Sequence, residues 1–138
     1  MFRRRKLVPF VLIPRHVSAH HGDAEKLSLL THLQQAHEAF VFGVHFAALA
    51  LMRSILEATL KTHYQAPGKD LKERIDNCEG LPHRCSTLAL HRIRNLANDV
   101  LHLEKDKVRL PDNFERELLR LLNVLRALIE GVPASRAR

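Results

Sequence analysis

Between Arg94 and His102 the chain reads Arg-Asn-Leu-Ala-Asn-Asp-Val-Leu-His, and the polar members of this run are types that handle phosphoryl groups and protons. Arg94 supplies a planar guanidinium that can grip two anionic oxygens at once. His102 supplies an imidazole that titrates near neutrality and can take or give a proton. Asn95 and Asn98 supply amides that can orient either group. At about 100° per residue of helix, Ala89, Leu90, Ile93, Leu96, Ala97, Val100 and Leu101 fall on one arc. His91, Arg92, Arg94, Asn95, Asn98, Asp99 and His102 fall on the opposite one. Asn98 and His102 are one turn apart and Asn95 and His102 two turns apart, so these groups can converge on one ligand. Asn is a weak helix former, and a face that only meets water is more easily built from Glu, Lys and Gln. A purely architectural use of the same residues has Arg94 paired with Glu57 on a neighbouring helix and His102 capping the helix C-terminus, where the dipole favours an imidazolium.

A second polar element lies upstream. Arg53 and Glu57 are spaced i, i+4 and form a same-face ion pair if their segment is helical. Cys78, His83 and Cys85 are the other cluster with ligand chemistry, but three groups in one short connection are too few for a closed tetrahedral zinc site. His16, His20 and His21 offer a further set without a recognised ligand spacing. No metal and no cofactor is expected. Two cysteines do not make a disulfide framework, which suits a reduced cytoplasmic setting.

These residues need helices to position them, and the apolar pattern supplies five. Asp23 can cap a first helix to about Phe40, with Leu27, Leu30, Leu33 and His37 on one side. A second runs from about Val44 to Tyr64, with Ala47, Ala48, Leu51, Ile55, Ala58 and Leu60 as its apolar positions, and stops before Pro67-Gly68. A third covers about Asp70 to Cys78. The fourth is expected to start at Pro82, a residue suited to a first helical turn, and to reach about His102. After a charged loop from Glu104 to Arg109, Asp112 and Glu115 fit a capping box for the fifth. Phe114, Leu118, Leu121, Leu122, Leu125, Leu128 and Ile129 would line its buried face, and Gly131 would end it. Short connections between such helices give an all-α, up-and-down bundle of four to five helices.

Composition agrees with that architecture. At 138 residues the chain has one domain's length, 46% of it is hydrophobic, and only 5 glycines and no Trp are present, a balance that points to helices rather than to a glycine-turned β-meander. The formal charge of +7 suggests nucleic acid until it is located. Arg3, Arg4, Arg5, Lys6, Arg15, Arg136 and Arg138 account for the entire excess, and the stretch from 23 to 135 is formally neutral. The organisation expected is therefore a basic N-terminal arm over 1–22, a helical domain over 23–132 and a basic tail over 133–138. The apolar run Leu7 to Ile13 is short and broken by Pro9, unlike the h-region of a secretory leader, and no stretch is long enough to span a bilayer.

The run Ile93-Arg94-Asn95-Leu96-Ala97-Asn98-Asp99-Val100-Leu101-His102 resembles the signature of HEPN-like domains, helical modules marked by an Arg, usually followed by a polar residue, with a His several positions later. It is similar above all to the HEPN-like family called domain of unknown function 4145, whose pattern is approximately R-x-x-G-N-x-x-x-H after an upstream R-x-x-x-E element. Arg94, Asn98 and His102 match the first pattern, and Arg53 with Glu57 the second; Gly68-Lys69-Asp70-Leu71 is similar as well. The resemblance spans about residues 35 to 130. Ala97 stands where the family usually has Gly, and seven residues separate Arg94 from His102, against four to six in ribonuclease HEPN domains. What the resemblance implies is a homodimer whose motif helices meet, with metal-independent cleavage of RNA in which His102 acts as acid or base, Arg94 stabilises charge on phosphorus oxygens, and Asn98 and Asn95 support them. It equally admits a non-catalytic module that binds a nucleotide, a nucleic acid or a protein. Either would sit in a defence or toxin-antitoxin-like system with an antitoxin or restriction subunit as partner.

Overall fold

Apolar stripes separated by short connections produce an all-helical bundle in the computed structural model, which describes residues 22–101 and 113–132, with side chains from 31 to 100 and from 113 to 132. The order is α1 (Gly22–Val41), α2 (His45–Ala58) continued by a π-helical turn (Thr59–His63), α3 (Leu71–Asn77), α4 (Thr87–Leu101) and α5 (Phe114–Glu130). No strand occurs among the described residues. None of their helices is long and apolar enough to cross a membrane. Residues 1–21 of the expected N-terminal arm, the Glu104–Arg109 loop, Asp112, His102 and the C-terminal tail lie outside the described residues, while Gly22 already belongs to α1.

Three residues, Phe42-Gly43-Val44, turn the chain from α1 into α2, and Gly43 takes the positive φ of 77° that the reversal needs. Leu33, Ala36, Phe40 and Val41 are the buried face of α1, with His37 half-buried beside them. Burial without a compensating charge lowers the His37 pKa.

α2 differs from its expected face. Its buried residues are Ala48, Leu49, Met52, Ile55 and Leu56, followed by Thr59 and Leu60 in the π turn, while Ala47 and Ala58 are exposed and Leu51 is only half-buried. The reason is packing: α2 touches α1, α4 and α5, so Leu49, Met52 and Leu56 face its neighbours with Ala48, while Ala47 and Ala58 face water. The expected regular helix to Tyr64 also gives way to the π turn, in which Tyr64 N–H donates to the Thr59 carbonyl at 3.1 Å and Thr59 Oγ1 donates to the Ile55 carbonyl at 2.7 Å. One extra residue per turn changes the direction in which the chain leaves. Tyr64 is thereby buried, and its hydroxyl donates to the Leu128 carbonyl of α5 at 2.6 Å.

Capping fixes the two helices nearest the candidate site. Asp70 accepts from Glu73 N–H at 2.9 Å, and Glu73 Oε2 accepts in return from Lys69 N–H at 2.6 Å, which starts α3. Gly68, at φ +157°, leads into this cap, and a Cβ there would lie 2.8 Å from Arg74 N. α4 begins five residues later than Pro82. The Pro82 carbonyl accepts from Cys85 N–H at 2.9 Å in a turn, and Ser86 then caps the helix, its Oγ accepting from Ala89 N–H at 3.1 Å. A serine hydroxyl able to satisfy a free amide outcompetes the proline's preference for a first turn. α5 has the expected seven-residue buried face, but its N-cap is Asn113, which makes no side-chain capping bond. Gly131 ends it at φ −93°, an ordinary value; what requires glycine is space, since a Cβ would lie 2.4 Å from Pro82 Cγ.

Candidate functional site

α4 packs against α2, α3 and α5. Ala89, Leu90, Ile93, Leu96 and Ala97 are buried, with Val100 half-buried at the end of the same seam. The seam holds the helix in place, and the remaining side chains are presented outward.

Arg94 is half-buried and its Nε donates to His91 Nδ1 at 3.2 Å. The other nitrogen of that imidazole, Nε2, is 2.7 Å from Asp76 Oδ1 at the end of α3. Because Nδ1 accepts from the guanidinium, Nε2 carries the ring proton and donates it to the carboxylate, which sets the tautomer of His91. Asp76, His91 and Arg94 thus form one hydrogen-bonded line from α3 onto α4. It engages only Nε of Arg94; its terminal nitrogens have no bond among the described residues. The architectural alternative, in which Arg94 pairs with Glu57, does not occur: Arg94 is bonded to His91, and Glu57 forms the expected i, i+4 pair with Arg53, 3.5 Å away. Arg53 Nε is buried and has no hydrogen-bond partner among the described residues.

On the α5 side, Arg92 forms a two-pronged contact with Glu117, Nε to Oε1 and Nη2 to Oε2, the latter at 3.2 Å. That hydrogen bond, opposed by burial, lowers the Glu117 pKa and raises that of Arg92. Asn95 is exposed and lines a depression of about 340 Å³ with Ser86, Leu88, His91, Arg92, Glu117 and Arg120. Asn98 is half-buried, and its amide makes no side-chain hydrogen bond among the described residues. His102 lies outside the described residues. Of the six expected site residues, then, Arg94 joins a network, Arg53 and Glu57 join each other, and Asn95 and Asn98 are left with uncommitted amides.

No protein-family model, curated protein or solved structure matches the chain. Its chemistry is carried by the side chains themselves. Three groups that matter here, His91, Asp76 and Glu117, are not among the expected site residues. His91 had a signal, the i, i+3 spacing to Arg94 on one helical face. Asp76 had none, since its role depends on where α3 crosses α4.

The cysteines serve the fold. Cys85 donates its thiol to the Val124 carbonyl at 3.2 Å, and burial pushes its pKa up to about 11, so it remains protonated. Cys78 points its sulfur to the Glu79 carbonyl, and His83 is exposed. No group of three or more His, Cys, Asp or Glu side chains able to hold a metal occurs among the described residues.

Proposed function

We propose that this chain is a HEPN-like module that engages RNA through the outer face of α4 and, as a homodimer, cleaves it without a metal. The observation that carries this reading is the anchored guanidinium of Arg94. A phosphate-binding arginine works best when its fork is held in place before the ligand arrives. The line from Asp76 through His91 does that from one side and leaves the two terminal nitrogens for a phosphoryl group, which they suit by planarity and spacing.

The reaction follows from ribonucleotide chemistry. The 2′-oxygen attacks the adjacent phosphorus as its proton passes to His102. The bond from phosphorus to the 5′-oxygen breaks, and that oxygen takes a proton from the partner subunit's His102, giving a 2′,3′-cyclic phosphate and a 5′-hydroxyl. Arg94 neutralises the charge that grows on the non-bridging oxygens, and Asn98 and Asn95 orient substrate or imidazole with amides that nothing else among the described residues uses. The setting implied by the resemblance is a defence or toxin-antitoxin-like system.

The test is cleavage of single-stranded RNA by the purified protein in EDTA. His102→Ala should lower the rate by about 10² to 10⁴, the usual worth of a positioned acid or base. Unchanged cleavage in that variant sinks the catalytic reading. A second reading, a module that binds without cutting, is favoured by the prior engagement of Arg92 by Glu117. Retained RNA binding with no cleavage by the unaltered protein selects it.

A further inference from the structure

The depression beside Asn95 is not isolated. A second one, of about 210 Å³, is lined by Arg84, Arg120, Asn123, Val124, Arg126, Ala127 and Glu130, and Arg120 belongs to both. Together they make one groove between α4 and α5, from the turn before α4 at Arg84 to His91 and Asn95. His91 is the residue that anchors Arg94, so the groove opens onto the α4 face.

Four arginines and two glutamates line this groove, and their pairing decides its character. Glu117 is held by Arg92, and Glu130 by Arg126 at 3.2 Å. The bond from Arg92 keeps the Glu117 pKa low, so that carboxylate stays charged and neutralised within its pair. Arg84 and Arg120 are left over. Arg84 makes no ion pair or hydrogen bond among the described residues, and Arg120 reaches Glu117 only at 3.9 Å with its side chain 56% exposed. Leu88, at the start of α4, lines the first depression with Arg120 and is 80% exposed. An elongated groove with one unpaired guanidinium fork at Arg84, one loosely paired and exposed at Arg120 and an apolar side chain fits a strand that carries phosphates on one edge and flat, weakly polar faces on the other.

We infer that the α4–α5 groove is the track along which the backbone of a single-stranded RNA reaches Arg94, with Arg84 and Arg120 as its phosphate contacts. This rests on the RNA reading of the α4 face. It adds a path and two residues that are absent from the Arg94-to-His102 motif.

The experiment is fluorescence anisotropy of a short labelled single-stranded RNA across a salt series, with full-length protein carrying His102→Ala so that the strand stays intact. Replacing Arg84 and Arg120 together by Gln should weaken binding about tenfold and reduce the slope of log affinity against log salt by about 1.4, the loss of two backbone contacts. Replacing both by Lys should restore most of the affinity, because a point charge still meets a phosphate. The control Lys69→Gln with Lys72→Gln, on and beside α3, removes the same charge away from the groove and should change affinity less than twofold. The track is overturned if the Gln pair binds as its parent does while Arg94→Ala does not. It is also overturned if the α3 control loses as much, or if the Gln pair keeps RNA but loses capture of a glutamate-rich peptide. A parent that binds no RNA at all overturns the reading of the α4 face as well.

Discussion

The two sides of α4 are built to opposite rules. Inward, Leu90, Ile93 and Ala97 are fully covered and meet a core that α5 completes with Leu118, Leu121 and Leu128. Polar groups there serve the fold, as when Tyr64 gives its hydroxyl to Leu128 and Cys85 its thiol to Val124. Outward, Arg94, Asn95 and Asn98 keep donors in reserve, and the bonds that exist there, His91 to Asp76 of α3 and Arg92 to Glu117 of α5, bridge helices from the surface while fixing the side chains beside Arg94. Substitutions on the inner side should therefore move stability and leave the activity of each folded molecule intact, whereas those on the outer side should do the reverse.

The sharpest way to break that division is at its extremes. Leu121→Ala removes a fully buried side chain and should cost about 2–5 kcal/mol in urea unfolding, with RNA affinity per folded molecule unchanged. Arg94→Ala should lower RNA cleavage by about 10²-fold, the scale of one lost transition-state donor, while the unfolding midpoint hardly moves. A large stability loss in that variant would make Arg94 a structural residue and erase the contrast. Tyr64→Phe strands the Leu128 carbonyl in the core and should cost about 1–3 kcal/mol with no effect on RNA. Asp76→Ala frees His91, so RNA affinity should fall severalfold. In an Arg94→Ala background the same change should do nothing further, a non-additivity that a double-mutant cycle reads directly.

The smallest expected effect is one of pH. His37 has its pKa depressed in the folded state by burial, so the unfolded chain takes up its proton first. Its share of stability is complete above the ordinary value of 6.5 and is lost as pH falls from there through the folded value. Urea unfolding at neutral and mildly acidic pH should show a smaller drop in His37→Gln than in the unaltered chain, and an identical drop would show that His37 does not contribute.

How far these features can be read from sequence depends on whether polar residues mark the opposite face. In α5, Arg116, Arg120 and Asn123 interrupt the leucines at helical spacing, and all seven expected inward positions are buried. α4 is marked in the same way by its arginines and asparagines. In α2 the run from Phe46 to Met52 is apolar throughout, so periodicity cannot choose between Ala47 and Leu49; contact with three neighbouring helices makes that choice. Local competition is hidden too, as Ser86 shows by starting α4 five residues past Pro82. At the site, Arg94 and its two asparagines are visible from spacing alone. The line through His91 to Asp76 is not, because it joins residues whose proximity is created only when α3 and α4 pack.

The contact between Gly131 and Pro82 acts as a spacer at one end of the α4–α5 pair. The turn before α4 and the residue after α5 meet there with no room for a methyl group, so any larger residue at 131 has to push the two apart. Towards Asn95 the same pair is bridged by the two-pronged contact from Arg92 to Glu117. The separation of the helices beside Arg84 is thus set by the smallest side chain a protein can use.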